Sequence, residues 1–322
     1  MRRRAFLRAG AAVVASAALP ARAQKSSWPS KPIRLIVPFA PGSGTDSAGR
    51  VLAHELSQRL GQQVLVENRA GAFGQIAAQL VARSAADGYT LFMTTNTTHG
   101  ANPHLFARLP YEPVRDFVPI ARLGTLPFML VVHPSLPVKT VAQFVDYARR
   151  NPDELSYAQA SSTSLVAMET IKRLGRISVA GVQYKASPQA MLDLMVGRVQ
   201  VMVADFATAM PQVKAGKLRV LGVTTAQPSR LLPGVPPIAE ALPGFDTTSW
   251  NGVFAPARTS AAIVSRLERE ILAALARRDI KARLEELGFE VDVLGSAAFG
   301  RYVGEQLEHW GRMIRAAGIE RQ

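Results

Sequence analysis

The chain has 322 residues, with 38 Lys and Arg against 24 Asp and Glu, a formal charge of +14, no cysteine and 48% hydrophobic residues. Such a composition belongs to a folded chain with room for two domains. The lack of cysteine excludes disulfides, a thiol nucleophile, thiolate metal sites and a lipidated cysteine. No apolar run reaches the roughly 20 residues that cross a bilayer, so a membrane-embedded chain is not expected.

Residues 1–23 read as an export signal. Arg2, Arg3, Arg4 and Arg8 surround Phe6 and Leu7, an uncharged run follows from Ala9 to Leu19, and Ala21-Arg22-Ala23 offers a cleavage site. An exported mature chain starting near Gln24 is therefore expected. The run from Arg3 to Arg8 resembles the twin-arginine motif, and both that route and the general one stay open. Cleavage removes five arginines and no acid. The remaining charge is basic but dispersed, as in Glu268-Arg269-Glu270, with no basic block and no nucleic-acid-binding signature. No nucleic-acid partner is expected, while the net field favours the approach of anions.

Taken in order, the mature chain alternates short β-rich runs with helical periods. Ile33 to Phe39 reads as a buried strand, and Asp46 to Leu60 as a helix with apolar Ala48, Val51, Leu52, Leu56 and Leu60 on one face, ended by Gly61. Strands at Val64 to Val66 and Leu91 to Met93 and a helix at Gln75 to Ala82 complete a β-α-β-α-β unit, whose ligand sites belong at the carboxyl ends of its strands. A connection punctuated by Pro110, Pro113, Pro119 and Pro127 follows, then a strand from Met129 to His133 as the first crossing between domains. Thr140 with Gln143 reads as a capping box opening a helix to Arg150. A strand at Tyr157 to Gln159, a helix after Ser162 to Ser164, a strand at Val182 to Tyr184, a helix with Ser187 at its N-cap, and strands at Val199 to Val203 and Leu218 to Val223 make a second α/β unit. After a Pro- and Gly-rich loop, Trp250 to Pro256 reads as the return strand. Helices at Ala261 to Arg277, capped by Thr259, and at Ala297 to Ala316 close the chain. The expected architecture is α/β, with two lobes and a cleft between them: residues 24–125 with 246–322 form lobe 1, and 126–245 form lobe 2.

The most informative stretch is Val37-Pro38-Phe39-Ala40-Pro41-Gly42-Ser43-Gly44-Thr45-Asp46, a strand running through a Gly-bearing turn into a helix. Its exposed N–H groups and helix start suit a carboxylate as well as a phosphate, although a plain capped connection has the same local pattern. Two more loops at expected strand ends, Thr94 to Thr98 and Ser161 to Ser164, carry small hydroxyl and amide side chains. Together the three would line a cleft with short neutral donors. Ser47 stands where a dinucleotide fingerprint has its third glycine, and no Gly-Lys-Ser/Thr follows for a P-loop, so no nucleotide cofactor is expected. His54, His99, His104, His133 and His309 show no metal spacing; His99 and His104 follow a strand end, where they would line a cleft or be ordinary loop polars.

In order and spacing, the run from Pro32 to Asp46, Val66-Glu67-Asn68-Arg69-Ala70-Gly71-Ala72, Asp87-Gly88-Tyr89-Thr90-Leu91, Asn102-Pro103, Leu109-Pro110-Tyr111, Asp116-Phe117, Tyr184-Lys185, the run from Lys214 to Arg219 and Ser249-Trp250-x-Gly252 resemble the substrate-binding proteins of tripartite tricarboxylate transporters, the Bug family of periplasmic receptors. The resemblance implies a two-lobed Venus-flytrap fold of the type II periplasmic-binding-protein class with two crossing strands, no enzyme activity, a small organic carboxylate closed in the cleft, and delivery to membrane transporter subunits by a monomeric receptor. It places Pro41, Gly42, Ser43, Gly44, Thr45, Asp46, Asn96, Thr97, Thr98, Ser162, Thr163, Ser164 and Asp205 at the cleft, and beside them Phe39 is a candidate apolar wall on physical grounds. Phe206 and Trp250 are further candidate walls, and for all three aromatics core packing is the favoured reading. The family pattern A-S-G-N-S-T before the second-lobe helix becomes Ala158-Gln159-Ala160-Ser161-Ser162-Thr163 here, with Leu165 where a polar residue is common. Alternatives of another class are a ligand sensor for a membrane signalling partner and an enzyme acting on a carboxylate, the latter without a nucleophile and base that the sequence nominates.

Overall fold

The computed structural model describes residues 28–322, so the export-signal segment lies outside the described residues. The first unit runs β1 (Ile33–Val37), α1 (Gly44–Leu60), β2 (Val64–Asn68), α2 (Gln75–Ala82), β3 (Thr90–Thr95), a π-helical turn (Thr97–Ala101) leading into α3 (Asn102–Leu105), and β4 (Phe117–Leu126). The second runs β5 (Phe128–Val132), α4 (Val141–Arg150), β6 (Ser156–Gln159), α5 (Ser162–Gly175), β7 (Ala180–Gln183), α6 (Ser187–Met195), β8 (Val201–Asp205), α7 (Phe206–Lys214), β9 (Arg219–Val223) and α8 (Ile238–Ala241). The chain then returns through β10 (Ser249–Pro256), α9 (Ala261–Leu275), α10 (Arg278–Glu286), β11 (Glu290–Gly295) and α11 (Ser296–Ala316).

Two mixed sheets result, ordered β2-β1-β3-β10-β4-β11 and β7-β6-β8-β5-β9. Each sets three parallel strands beside antiparallel ones: β2, β1 and β3 next to β10, and β7, β6 and β8 next to β5. Central strands buried on both faces need apolar runs: β5 is apolar throughout, and β1, β3 and β10 carry shorter runs at Leu35 to Val37, Leu91 to Met93 and Val253 to Pro256. The sheets meet where β4 passes through Pro127 into β5, so that adjoining residues Leu126 and Phe128 belong to different sheets and one continuous core. Thr224 staples this crossing: its N–H donates to Phe128 O at 3.0 Å, its Oγ1 accepts from Phe128 N at 3.0 Å, and its carbonyl accepts from Thr247 N. The carboxyl ends of β1 and β3 therefore face those of β6, β7 and β8 across a cleft.

Several expectations need correction. The Pro-punctuated stretch holds a ten-residue strand, β4, which tolerates Pro119 because that residue sits at a register irregularity opposite Phe254. The span between α9 and the last helix contains α10 and β11, short elements without a strong period. Ser260, not Thr259, caps α9, and Thr259 Oγ1 donates to Pro256 O instead. Ser187 is the first helical residue of α6, with Ala186 at its N-cap. At α4, Thr140 caps Gln143 N, but the Gln143 side chain accepts from Lys139 N, so the box is displaced by one residue. Trp250 needs none: it takes the favoured core position, packed edge-on against Phe299 and Tyr302. Gly252 belongs to that packing, since a Cβ there would stand 2.1 Å from the Phe299 ring.

A smaller apolar cluster joins the lobes. Leu165 and Val166 of α5 pack with Ala101, Leu105, Trp310 and Ile314 of the first lobe. The N-terminal turn of α5 is thus seated on α11 and the π-helical turn.

Candidate functional site

Where the strand ends converge, Phe39, Ser43, Gly44, Thr45, Thr95, Thr97, Leu126, Phe128, Ser161, Thr163, Ser187, Asp205 and Ser249 enclose a cavity of about 30 Å³. The N-termini of α1, α5, α6 and α7 all open on it, each carrying partial positive charge from unpaired N–H groups. Their starts follow from sequence. Ser43 caps α1 by accepting from Asp46 N at 3.3 Å, Ser161 and Ser164 form a reciprocal box on α5, and Asp205 caps α7 by accepting from Thr208 N at 3.0 Å. Gly42, at φ +83°, turns the chain from β1 into α1, a conformation that suits glycine.

A second row of polar groups stands behind the lining. Asn96 Nδ2 donates to Thr163 Oγ1 at 3.0 Å, and Ser162 Oγ donates to Thr97 Oγ1 at 2.9 Å. Both bonds cross between the lobes. A threonine hydroxyl that accepts in this way keeps its own proton for another acceptor, so Thr97 and Thr163 present O–H donors to the cavity. Asn96 is held in turn by Ser249 Oγ, which donates to its Oδ1 at 2.5 Å.

Of the candidates from sequence, Phe39, Ser43, Gly44, Thr45, Thr97, Thr163 and Asp205 line the cavity. Asn96 and Ser162 are fully buried behind it. Pro41 and Gly42 are exposed at the turn, outside the lining. Asp46 points away from the cavity, accepting from Gly42 N at 2.9 Å and from Asn68 Nδ2 at 2.8 Å and pairing with Arg50. Burial acts to raise its pKa, but Arg50, Gly42 and Asn68 together hold the carboxyl below the usual range. Thr98 bonds Thr94 Oγ1 and His99 Nδ1, and Ser164 is spent on the α5 cap. His99 is enclosed by Phe92, Phe117 and Phe254, and burial lowers its pKa to about 3. His104 bonds Leu307 O. Phe206 lies on a separate groove with Met210 and Leu287. Among the described residues no group of three or more His, Cys, Asp or Glu gathers as for a metal.

Thr95 and Ser161 belong to the two hydroxyl loops expected at the cleft, whereas sequence reasoning missed Leu126, Phe128, Ser187 and Ser249 as lining residues. A Ser-Pro helix start after a strand and a hydroxyl opening the return strand were available signals for Ser187 and Ser249. Nothing local marks Leu126 or Phe128, whose position comes from the crossing.

Among the described lining residues, Asp205 is the one charged group. Its carboxylate lies close to the Gly44 backbone across the cleft; burial pushes its pKa up, and the bonds from Thr208, with the nearby Gly44 N–H, offset only part of that. A raised carboxyl pKa destabilises the fold above that pKa. The penalty falls as pH drops through the folded value and is gone below the unfolded value near 3.8. Asp205→Asn keeps a capping acceptor for Thr208 and removes the charge. The variant is expected to melt a few degrees higher at pH 7, with the gap to the parent closing as pH falls, in paired thermal melts between pH 7 and 4.

Residues 48–319 match the family model described as the tripartite tricarboxylate transporter family receptor. Protein BugT of Bordetella pertussis is 30% identical over 311 residues, covering 95% of each chain. A Rhodopseudomonas palustris protein solved with adipate aligns at TM-score 0.89 and 35% identity over 92% of this chain and 100% of its own. MatC of the same organism, solved with malate, aligns at TM-score 0.82 and 32% identity over 89% and 99%. The two-lobed fold, the cleft between the strand ends and these matches agree: the chain belongs to the family of tripartite tricarboxylate transporter receptors.

Proposed function

We propose that this chain is a periplasmic receptor that captures a small organic carboxylate in the interlobe cleft and presents it, chemically unchanged, to membrane transporter subunits. The observation that carries the reading is the convergence of four helix N-termini and oriented hydroxyls on one small cavity whose described lining holds no cation. A carboxylate there would receive an N–H donor from Thr45 and O–H donors from Thr97 and Thr163. Burying a charge is costly unless hydrogen bonds replace its water, so an anion that satisfies donors of both lobes favours closure about the Pro127 and Thr224 crossing. Adipate and malate in the related proteins support the ligand class. On this reading residues 24–125 with 246–322 form one lobe and 126–245 the other, the protein works as a monomer, and the first 23 residues direct export. No helix of the described residues is long and apolar enough to cross a membrane.

The test is a thermal-shift screen of the mature protein, unfolded and refolded to strip carried-over ligand, against mono-, di- and tricarboxylates, acidic amino acids and aromatic acids. At a hundredfold excess over Kd the cognate acid should stabilise by about 2.7 kcal/mol, a rise of roughly 5 °C. Thr163→Ala should weaken binding about tenfold or more by removing a hydrogen bond to a charge. An unchanged melting temperature across the panel, with a cooperative melt, would sink the carboxylate assignment. Recovery of the acid unaltered after prolonged incubation separates receptor from enzyme.

A further inference from the structure

Outside the hydroxyl-lined cavity, the cleft opens into a second cavity of about 310 Å³ walled by Phe39, Phe73, Tyr184 and Lys185, with the Gly71 to Gly74 loop and Ala160 between them. The two cavities share Phe39, and on the second lobe they are bounded by successive residues, Ala160 and Ser161. Their sizes divide the work. One water needs roughly 10–15 Å³, so the inner space of about 30 Å³ suits the oxygens of one carboxylate and little more. The outer space is about twice the ~150 Å³ that admits a benzene molecule. Their chemistry differs too: hydroxyls, helix starts and Asp205 line the inner cavity, whereas aromatic rings and Lys185, the one charged group among its described lining residues, line the outer.

The wall of the outer cavity is strained. Ala72 and Phe73 take φ values of +46° and +49°, a left-handed conformation that a bulky L-residue rarely adopts. Fully buried Asn102 fixes it by donating from Nδ2 to Phe73 O at 2.9 Å, and the Phe73 ring rests against Phe106 at 5.8 Å. Glycine would sit at position 73 without strain, so the ring is carried against the local backbone preference. Strain of this kind gathers at ligand clamps, where the surrounding structure over-determines it.

We propose that the outer cavity is the specificity subsite of this receptor: it holds a ring-sized apolar body between Phe39, Phe73 and Tyr184 and sets a second carboxylate at Lys185, so the preferred ligand is a dicarboxylate built on an aromatic body. This rests on the reading of the inner cavity as a carboxylate site. Apolar walls exclude small hydroxylated acids, which would leave them facing water, and the ammonium of Lys185 discriminates a dianion from a monoanion. Aromatic walls favour an aromatic body through offset or edge contacts.

Titration calorimetry of the refolded mature protein with terephthalate, succinate and benzoate tests the proposal. Terephthalate is expected to bind at least tenfold more tightly than either of the others, since succinate lacks the body and benzoate the second anion. Lys185→Met should weaken terephthalate at least tenfold, and at least fivefold more than it weakens benzoate. Phe73→Gly should weaken terephthalate at least fivefold with a melting temperature no lower than the parent's, which a merely structural ring would not give. Equal affinities for terephthalate and succinate, or terephthalate binding indifferent to Lys185→Met, would overturn the subsite. If acids still bind with affinity that Thr163→Ala reduces, the carboxylate reading stands alone. Binding of none of these acids nor of any carboxylate in the screen would overturn both.

Discussion

Trp310→Ala is expected to cost roughly 3–5 kcal/mol of unfolding free energy, the range for deleting a large buried aromatic side chain. Trp310 is fully buried, and its ring fills the space against Gly100, where an added Cβ would stand 2.9 Å from Cδ1. Its indole Nε1 donates to Gln306 Oε1 at 3.2 Å. The ring belongs to the apolar cluster that joins the lobes, with Ala101 and Leu105 from the first and Leu165 and Val166 from the second. The hole would therefore loosen both the π-helical turn carrying Thr97 and the first turn of α5 carrying Thr163. Urea unfolding should show a large drop in midpoint, and the ligand affinity of the remaining folded protein should fall as well. Trp310→Phe, which keeps most of the ring, should recover the larger part of both. An affinity untouched by Trp310→Ala would show that the cluster supports the fold without seating the site.

Asn96→Ala is expected to lower ligand affinity on the order of a hundredfold, about 2.7 kcal/mol, the largest effect expected from a side chain that does not touch the ligand. Asn96 donates to Thr163 Oγ1 and accepts from Ser249 Oγ. Its loss leaves two buried hydroxyls without their partner, frees the Thr163 proton to turn away from the cavity, and removes a bond that joins the lobes. Asn96→Asp is the sharper variant: it still accepts from Ser249 but cannot donate to Thr163, and it adds a negative charge behind an anion site. Calorimetry should rank affinity as parent well above Asn96→Ala, with Asn96→Asp lowest. A hundredfold loss in Asn96→Asp with none in Asn96→Ala would reduce the role of Asn96 to charge alone and remove the argument from hydroxyl orientation.

Much of this architecture is legible in the chain because local signals agree with the tertiary outcome. The apolar runs of β1, β3 and β5, the Gly-bearing turn into α1 and the hydroxyl start of α5 each carry one dominant signal. Illegible parts are those whose signals are divided or supplied from far away. Pro119 masks β4, whose place depends on antiparallel partners more than a hundred residues further on. β11 is made by pairing with β4 rather than by its own pattern. Within the site, composition marks the loops but not the order of their rows. Asn96 and Thr97, or Ser162 and Thr163, are neighbours of similar chemistry, and only the π-helical turn at Thr97–Ala101 and the seating of α5 decide which one faces the cavity. The outer cavity escapes for the same reason: Phe73 and Lys185 lie on different lobes and meet only when the cleft is formed.

The most direct test of the central claim is a crystal structure of the refolded mature protein with the acid that gives the largest thermal shift. A carboxylate is expected in the inner cavity, within hydrogen-bond distance of the N–H of Thr45 and of the hydroxyls of Thr97 and Thr163. A carboxylate bound elsewhere, with those donors facing only water or one another, would contradict it.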